Sequence, residues 1–495
     1  MELRPTNPPA GPRRDFVTVF VGMLTLTGPC ASGAIYYVAT TGADSNPGTI
    51  TAPFQTLQKG ASTAVAGDTV IVRAGTYGHV NAVTGGDNSC CGSYPVWLYN
   101  SGTPAAPITI KAENKWGATL DCEMLCDAYI NLYNSAYVVI QNFVITRGYK
   151  EAIHSNDAAH HVTIRGNRIE YIANRSTQTP LGLGGMYANS LNHDFLIDSN
   201  MFHDIGRTNT DITTLDHGLY FHSSNFTVTN NIFYNIAHGW KIQLADGANN
   251  TLIANNTFAF PNLTEDGQIM LWNSQSGLVI ENNIFYNPHN YAIVRFTSSV
   301  STCMLDRNLV YGASGLVASS TGCSVGATQV GANPMFVNPA AYDFHVQSGG
   351  AGVDAGANLS AVPLDIDGNS RPQGSSTDVG AYEFSAPAGP VISGVFGSST
   401  VYNSAAINWF TDVPATSFVQ YGPIGYSSAT TENMTLITSH LVTLSNLTAS
   451  TVYHYRVGSR NSAGNVTLSS DFTFATPAHT TNTPAPRQVT GPRSR

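Results

Sequence analysis

Seven times between residues 142 and 310 the chain repeats an asparagine followed, at once or one residue later, by an apolar residue. The anchors are Asn142-Phe143, Asn167-Arg168-Ile169, Asn200-Met201-Phe202, Asn231-Ile232-Phe233, Asn256-Thr257-Phe258, Asn283-Ile284-Phe285 and Asn308-Leu309-Val310. Successive anchor asparagines are 25, 33, 31, 25, 27 and 25 residues apart. Short alternating stretches, such as Phe226-Thr227-Val228-Thr229 and Gly277-Leu278-Val279-Ile280, precede most of them. A repeat of this length with a strand pattern in each copy predicts a stacked solenoid. The two long steps are insertions, which in a solenoid emerge as loops on one face.

Charged residues make up only 11% of the 495, so the chain lacks the Glu- and Lys-rich surfaces of helical proteins and favours strands and turns. The net charge of −9, with no cluster of Lys and Arg, argues against a nucleic-acid partner. At the N-terminus Arg13-Arg14-Asp15-Phe16 precedes an apolar run from Val17 to about Thr27, and small residues follow. Residues 1–34 therefore read as an export signal, of the twin-arginine or the ordinary secretory type, which predicts a secreted or cell-surface protein. The run is too short for a stable membrane span. Without Cys30 six cysteines remain, an even number that favours disulfides in an exported chain. Cys303 with Cys323 is the expected pair; the connectivity of Cys90, Cys91, Cys122 and Cys126 stays open.

Residues 35–384 read as the solenoid. Tyr36-Tyr37-Val38-Ala39 and Asp68-Thr69-Val70-Ile71-Val72 are strand patterns, Thr51 to Ala64 reads as an amphipathic helix covering the first coil, and residues 84–94 read as a loop. Pro53-Phe54-Gln55-Thr56-Leu57-Gln58, Gly67-Asp68-Thr69-Val70 and Ala74-Gly75-Thr76-Tyr77 resemble the entry segment of secreted right-handed parallel β-helix proteins of the pectate-lyase-like superfamily. Asn333-Pro334-Met335-Phe336, Val353-Asp354-Ala355-Gly356, Asp365-Ile366-Asp367-Gly368 and Asp378-Val379-Gly380-Ala381-Tyr382-Glu383 resemble the C-terminal capping segment of that group. The resemblance implies an all-β, right-handed parallel β-helix. It does not imply one activity, because the group holds lyases, hydrolases and proteins without known catalysis. Residues 385–389 are a linker by composition. Residues 390–476 alternate with period two between turns, and Trp409 with Tyr453 and Tyr455 gives them a resemblance to a fibronectin type III β-sandwich. Residues 477–495, rich in Thr, Pro and Arg, read as a disordered tail.

In a parallel β-helix, outward side chains at one position of successive coils form a column that suits a linear polymer, so the expected partner of this chain, read as a monomer, is an extracellular polysaccharide. Alignment of His217-Gly218-Leu219-Tyr220-Phe221-His222 with His238-Gly239-Trp240-Lys241-Ile242-Gln243 puts Leu219, Phe221, Trp240 and Ile242 inside. Tyr220 and Lys241 then face outward one coil apart, as do His222 and Gln243. Met270 and Trp272 follow, then either Val294 or Arg295; His154 and Tyr187 are the outward residues of preceding coils. Lys241 stands out, since the chain has five lysines and none other beyond Lys150.

A lysine there suits β-elimination from a uronic acid: a base takes the proton alpha to the carboxylate, and a cation offsets the charge that builds on it. The resemblance implies Lys241 as base, Arg295 or a bound Ca²⁺ as neutraliser, and Tyr220 or His222 as proton donor. His217, Gln243, Trp272, Asn273, Tyr187 and His154 are candidate substrate-binding residues. Asp211 and Asp216 are the candidate calcium ligands, although with Asp246, Glu265 and Asp266 they are scattered among loops rather than stacked. Two other readings stay open. One is a non-catalytic adhesion or glycan-binding protein. The other is a glycoside hydrolase, for which Asn209-Thr210-Asp211 and Asp216-His217-Gly218 echo polygalacturonase fragments in the wrong order and separation. His160 and His161 are adjacent and would face opposite ways in a strand, which argues against a shared metal.

Overall fold

A computed structural model describes residues 33–79, 94–155, 157–174, 184–207, 216–236, 238–261, 266–273, 275–295, 302–318, 323–385 and 389–480. Residues 1–32 of the segment read as an export signal, Cys90, Cys91, Asp211, Glu265 and most of the C-terminal tail lie outside them. The chain divides into two units, Met1–Phe384 and Ser385–Arg495. The described residues contain no helix long and apolar enough to cross a membrane.

The first unit is a right-handed parallel β-helix. Three parallel sheets run its length: sheet A with 11 strands, from Ile35–Val38 to Cys323–Val325; sheet B with 10, from Gly75–Gly78 to Gln329–Val330; and sheet C with 9, from Val96–Leu98 to Gly315–Val317. Alternation of the sequence sets the burial: Ile108, Ile110 and Ala112 are buried within one strand while Thr109 and Lys111 are partly exposed. Inside sheet B the register aligns Phe202, Phe233, Phe258 and Phe285 in one column, whose rings stack 4.9, 5.1 and 5.0 Å apart. That spacing is set by the distance of about 4.8 Å between strands.

The turn from sheet A to sheet B carries the repeat seen in the sequence. Six anchors, Asn167, Asn200, Asn231, Asn256, Asn283 and Asn308, are wholly buried and stacked. Each Oδ1 accepts from the backbone N–H of the equivalent residue one coil earlier, at 2.9 Å for Asn167 to Asn200, Asn200 to Asn231, Asn231 to Asn256 and Asn256 to Asn283. Each Nδ2 reaches the carbonyl of an inward residue within the sheet A strand one coil earlier, as Asn256 does to Val228 at 2.9 Å. Asn142 is not a member of this stack: Phe143 holds the ladder position in its coil and donates its N–H to Asn167 Oδ1. Asn142 belongs to the neighbouring column of left-handed residues, with φ of 69°, together with Gly166, Ser199, Asn230, Asn255, Asn282 and Arg307. Glycine or asparagine suits that conformation best.

Residues 336–384 fold back along the outer face of sheet B. Phe336, Phe344, Val346, Ile366, Val379 and Tyr382 pack there on Ile232, Tyr234, Ala259, Ile284 and Leu309. The left-handed asparagines bind this flap: Asn230 donates to Leu364 O, Asn255 to Asp378 O and Asn282 to Ala357 O. A buried Arg371–Glu383 ion pair at 2.7 Å fixes the flap internally. The segment that resembles an end cap thus closes one side of the helix. The N-terminal helix spans Leu57–Thr63, shorter than the 51–64 expected, because Phe54 bridges Val38 in extended form and Thr56 is the N-cap. Cys303 and Cys323 pair across adjacent sheet A strands, and Cys122 pairs with Cys126.

The second unit is an antiparallel β-sandwich-like assembly of seven strands around Ile407, Trp409, Val419, Tyr455 and Val457. Trp409 Nε1 donates to Ser459 Oγ at 2.9 Å, and Tyr453 OH accepts from Thr448 N–H at 3.0 Å. The latter contact is of the kind that pins a strand-connecting corner in sandwich folds.

The asparagine ladder gives a direct test. Asn231→Ala would leave Asn200 N–H and the carbonyls of Ile197 and Thr229 without their buried partner. At about 1–3 kcal/mol per orphaned buried group, the expected loss is about 3 kcal/mol or more. Urea unfolding followed by circular dichroism measures it.

Candidate functional site

Sheet C presents its outer residues in two columns. Register places Trp97, Asn131, His154, Tyr187, Tyr220, Gln243, Met270 and Val294 in the first. Two residues further along each strand stand Tyr99, Tyr133, Asn189, His222, Ala245 and Trp272. Rings in neighbouring coils meet at the strand spacing, so much of this face is a continuous aromatic ribbon. Trp97 stacks on Tyr99 at 5.7 Å and lies 5.8 Å from Tyr133; Tyr94 stacks on His154 at 5.1 Å. His154 then stacks on Tyr187 at 5.8 Å, Tyr187 meets Tyr220 at 5.5 Å, and Tyr220 meets His222 at 4.7 Å.

A polar cluster stands at the start of two adjacent strands of this face. His154 Nδ1 is 2.6 Å from Glu151 Oε2, and Lys150 Nζ is 2.6 Å from Asp127 Oδ2. Glu151 is fully buried; burial pushes its carboxyl above the usual range, and the hydrogen bond from His154 opposes that shift. Burial, followed by the nearby Glu151 charge, raises the phenols of Tyr94 and Tyr187. Burial also raises Tyr220 and lowers His222, so these phenols stay protonated and the His222 ring stays neutral. Asp127 Oδ1, Asn131 Oδ1 and Glu151 Oε1 are buried oxygens without a hydrogen-bond partner. Such acceptors are costly unless something satisfies them.

Lys241 is not on this face. Register pairs Tyr220 with Gln243, two residues from the alignment expected, and so sets Lys241 beside Gly218. The column Ala152, Gly185, Gly218, Lys241, Gln268 and Ala292 points inward, and Lys241 is wholly buried. A Cβ on Gly218 would lie 2.4 Å from Lys241 O and 2.9 Å from Ile236, so the rung below must be bare. Lys241 Nζ donates to Phe260 O at 2.7 Å, and Gln268 Nε2 shares that carbonyl at 3.0 Å. Burial lowers the lysine to about 7.

Other residues also move from their expected places. Trp240, expected inside, packs on the outer side with Met270 and Val294, and its Nε1 donates to Asp266 O at 3.0 Å. It thereby covers the far end of the first column, where Gln243 is buried too. Val294 takes the outer position, and Arg295 falls in the column of Phe221, Leu244 and Leu271, whose side chains form the core. His217 is buried against Trp240; burial pushes it down to about 3, and its Nδ1 accepts from Trp240 N–H at 3.2 Å. Asp216 is buried and paired with Arg207 through both oxygens, at 2.8 and 2.9 Å, so a calcium ion there would compete with the guanidinium for the carboxylate. Asn273 bonds Asp246 at 2.7 Å in the turn after its strand. His154, Tyr187, Tyr220, His222 and Trp272 stand on the outer columns. Asp127, Asn131, Glu151, Tyr94, Trp97 and Tyr133 were missed. The signal was there: Asp127 and Lys150 are 23 residues apart, close to one coil, and Trp97-Leu98-Tyr99 alternates as a strand.

Residues 36–270 match the family model described as Pel9A-like, right handed beta helix region. Over those residues the first unit, a right-handed β-helix, is similar to the Pel9A-like family. Its likeness to solved structures is one of fold. The crystal structure of pectate lyase Pel9A is 15% identical, covers 71% of this chain and 97% of its own, and has a TM-score of 0.49. An alginate lyase from Paenibacillus sp. str. FPU-7 is 18% identical over 55% of this chain and 92% of its own, with a TM-score of 0.42. Residues 395–476 match the family model of the purple acid phosphatase N-terminal domain. A human fibronectin type III domain is 18% identical over 22% of this chain and 84% of its own, with a TM-score of 0.14. No curated protein matches the sequence.

The buried lysine of the β-helix predicts a pH effect. Its folded value near 7 lies below the ordinary 10.5, so between these values the unfolded chain binds a proton that the folded chain has released. Stability contributed through this group therefore rises as pH increases across that window. From pH 7 to 9 the wild type should gain about 2 kcal/mol relative to Lys241→Met. Parallel denaturant curves at the two pH values measure the difference.

Proposed function

We propose that the outer face of sheet C binds an acidic extracellular polysaccharide and cleaves it by β-elimination at His154. The observation that carries this reading is a histidine held by a buried glutamate at 2.6 Å within a ribbon of rings, between Tyr94 and Tyr187. Sugar faces stack on aromatic rings, and coils about 4.8 Å apart give an extended chain a repeating set of contacts. With Nδ1–H donated to Glu151, the Nε2 lone pair of His154 takes the proton alpha to the uronate carboxylate. The electron pair forms the ring double bond, the bond to the departing glycosidic oxygen breaks, and that oxygen takes the proton of Tyr187. Tyr220, His222 and Trp272 continue the ribbon for flanking sugars.

The pectate-lyase-like fold implies calcium, and the residues fit an oxygen-binding cation. Asp127, Asn131 and Glu151 each offer a buried oxygen without a partner, an all-oxygen set of the kind hard cations take. Bound there, calcium would offset the charge on the substrate carboxylate. Glycan binding without cleavage is the second reading. It is favoured by one observation: neither outer column contains a lysine or arginine among the described residues. In both readings the protein acts outside the cell, after export by its N-terminal segment, and the second unit spaces or attaches it.

Incubation with pectate, alginate and glycosaminoglycans, with and without calcium, followed by absorbance of the unsaturated product, tests the proposal. His154→Ala should reduce product formation at least ~100-fold, the scale of a lost general base. Trp97→Ala should weaken polymer binding with a smaller effect on the chemical step. Polymer binding without unsaturated ends on any substrate would sink the lyase and leave the binding reading. New reducing ends without unsaturation would point to hydrolysis.

A further inference from the structure

The turn from sheet C to sheet A contains a second constellation, apart from both outer columns. Isolated parallel bridges align Ala136, His160, His193 and Ser224 in one column of this turn. The next residue in each coil, Tyr137, His161, Asp194 and Asn225, has φ of 55°, 53°, 58° and 61°. The left-handed conformation folds the second residue back beside the first, so His160 and His161 do not face opposite ways as they would in a strand. His160, His161, His193 and Asp194 therefore form a two-by-two square across adjacent coils.

The distances suit a shared ion. The rings of His160 and His193 are parallel to within 1°, with centroids 5.0 Å apart. His160 Nδ1 lies 2.9 Å from His161 Nδ1, His193 Nδ1 lies 2.6 Å from Asp194 Oδ2, and His161 Nδ1 lies 3.9 Å from the same oxygen. One ligand atom from each of His161, His193 and Asp194 falls within 4.8 Å of the others. A tetrahedral site with bonds near 2.0 Å has ligands about 3.3 Å apart, which these separations bracket. Tyr137 stacks on His161 at 4.6 Å and supports one side of the square.

We propose that His161, His193 and Asp194, with His160 as fourth ligand, bind a divalent transition metal such as Zn²⁺ or Cu²⁺. The donors are mostly imidazole nitrogen, which favours these ions over Ca²⁺ and Mg²⁺. Such an ion would add a cross-link between two coils at a corner that isolated bridges and the hydrogen bonds of Asn192 to Ser155 and Ala159 already connect. The site is independent of the polysaccharide reading.

Calorimetric titration of the full chain, free of any histidine tag and stripped with a chelator, tests the site. One equivalent of Zn²⁺ should bind, excess Ca²⁺ should not displace it, and the thermal midpoint should rise. His161→Ala and His193→Ala should each weaken binding tenfold or more with an unchanged circular dichroism spectrum. Cu²⁺ bound to the unaltered protein should show nitrogen coupling in its electron paramagnetic resonance spectrum, a readout that needs no variant. No Zn²⁺ binding, undiminished affinity in both histidine variants, displacement by Ca²⁺ or a nitrogen-free Cu²⁺ signal would overturn the proposal.

Discussion

The buried asparagine ladder at the corner between sheets A and B holds the coils from Asn167 to Asn308 in register. Each amide satisfies backbone groups in its own coil and its neighbours, so no coil can slip without orphaning several buried polar atoms at once. Insertions of different length between anchors leave this register intact. Steps of 33 and 31 residues are accommodated beside steps of 25 and 27. Columns of side chains about 4.8 Å apart follow from that constancy.

The paired asparagines divide their work. In Asn230-Asn231, Asn255-Asn256 and Asn282-Asn283 the second residue enters the ladder while the first, in left-handed conformation, turns outward and holds the flap of residues 336–384. The later coils of sheet B are thereby covered by the chain itself. Sheet C keeps its aromatic columns, and the polar cluster of Asp127, Lys150, Glu151 and His154 opens onto them. The same column geometry explains Lys241. Alanine and glycine fill the inward corner position in earlier coils, and space above the bare Gly218 admits a lysine whose ammonium binds a turn carbonyl.

Much of the fold was legible in the residues. The anchors disclosed the solenoid, alternation disclosed the inward positions of most strands, and Trp409 with the tyrosines disclosed the second unit. The site was legible only in part. His154, Tyr187, Tyr220, His222 and Trp272 follow from strict alternation. Alternation failed at the corners, where Lys241 points inward despite having the parity of Gln243, and where left-handed residues bring His160 and His161 together. Rarity of lysine drew attention to a residue whose burial removes it from solvent.

The sequence by itself determined that this chain stacks coils, how many residues each turn spends, and which residue types fill the interior, because periodicity and hydrogen-bonding capacity are local properties. Tertiary structure alone decided which residues become neighbours across coils. A two-residue shift between His217–His222 and His238–Gln243 preserves alternation and leaves every local propensity unchanged. It nevertheless exchanges Lys241 for Gln243 at the level of Tyr220. Only the summed backbone hydrogen bonds of the parallel sheet, anchored at the asparagine corner, select between the two registers.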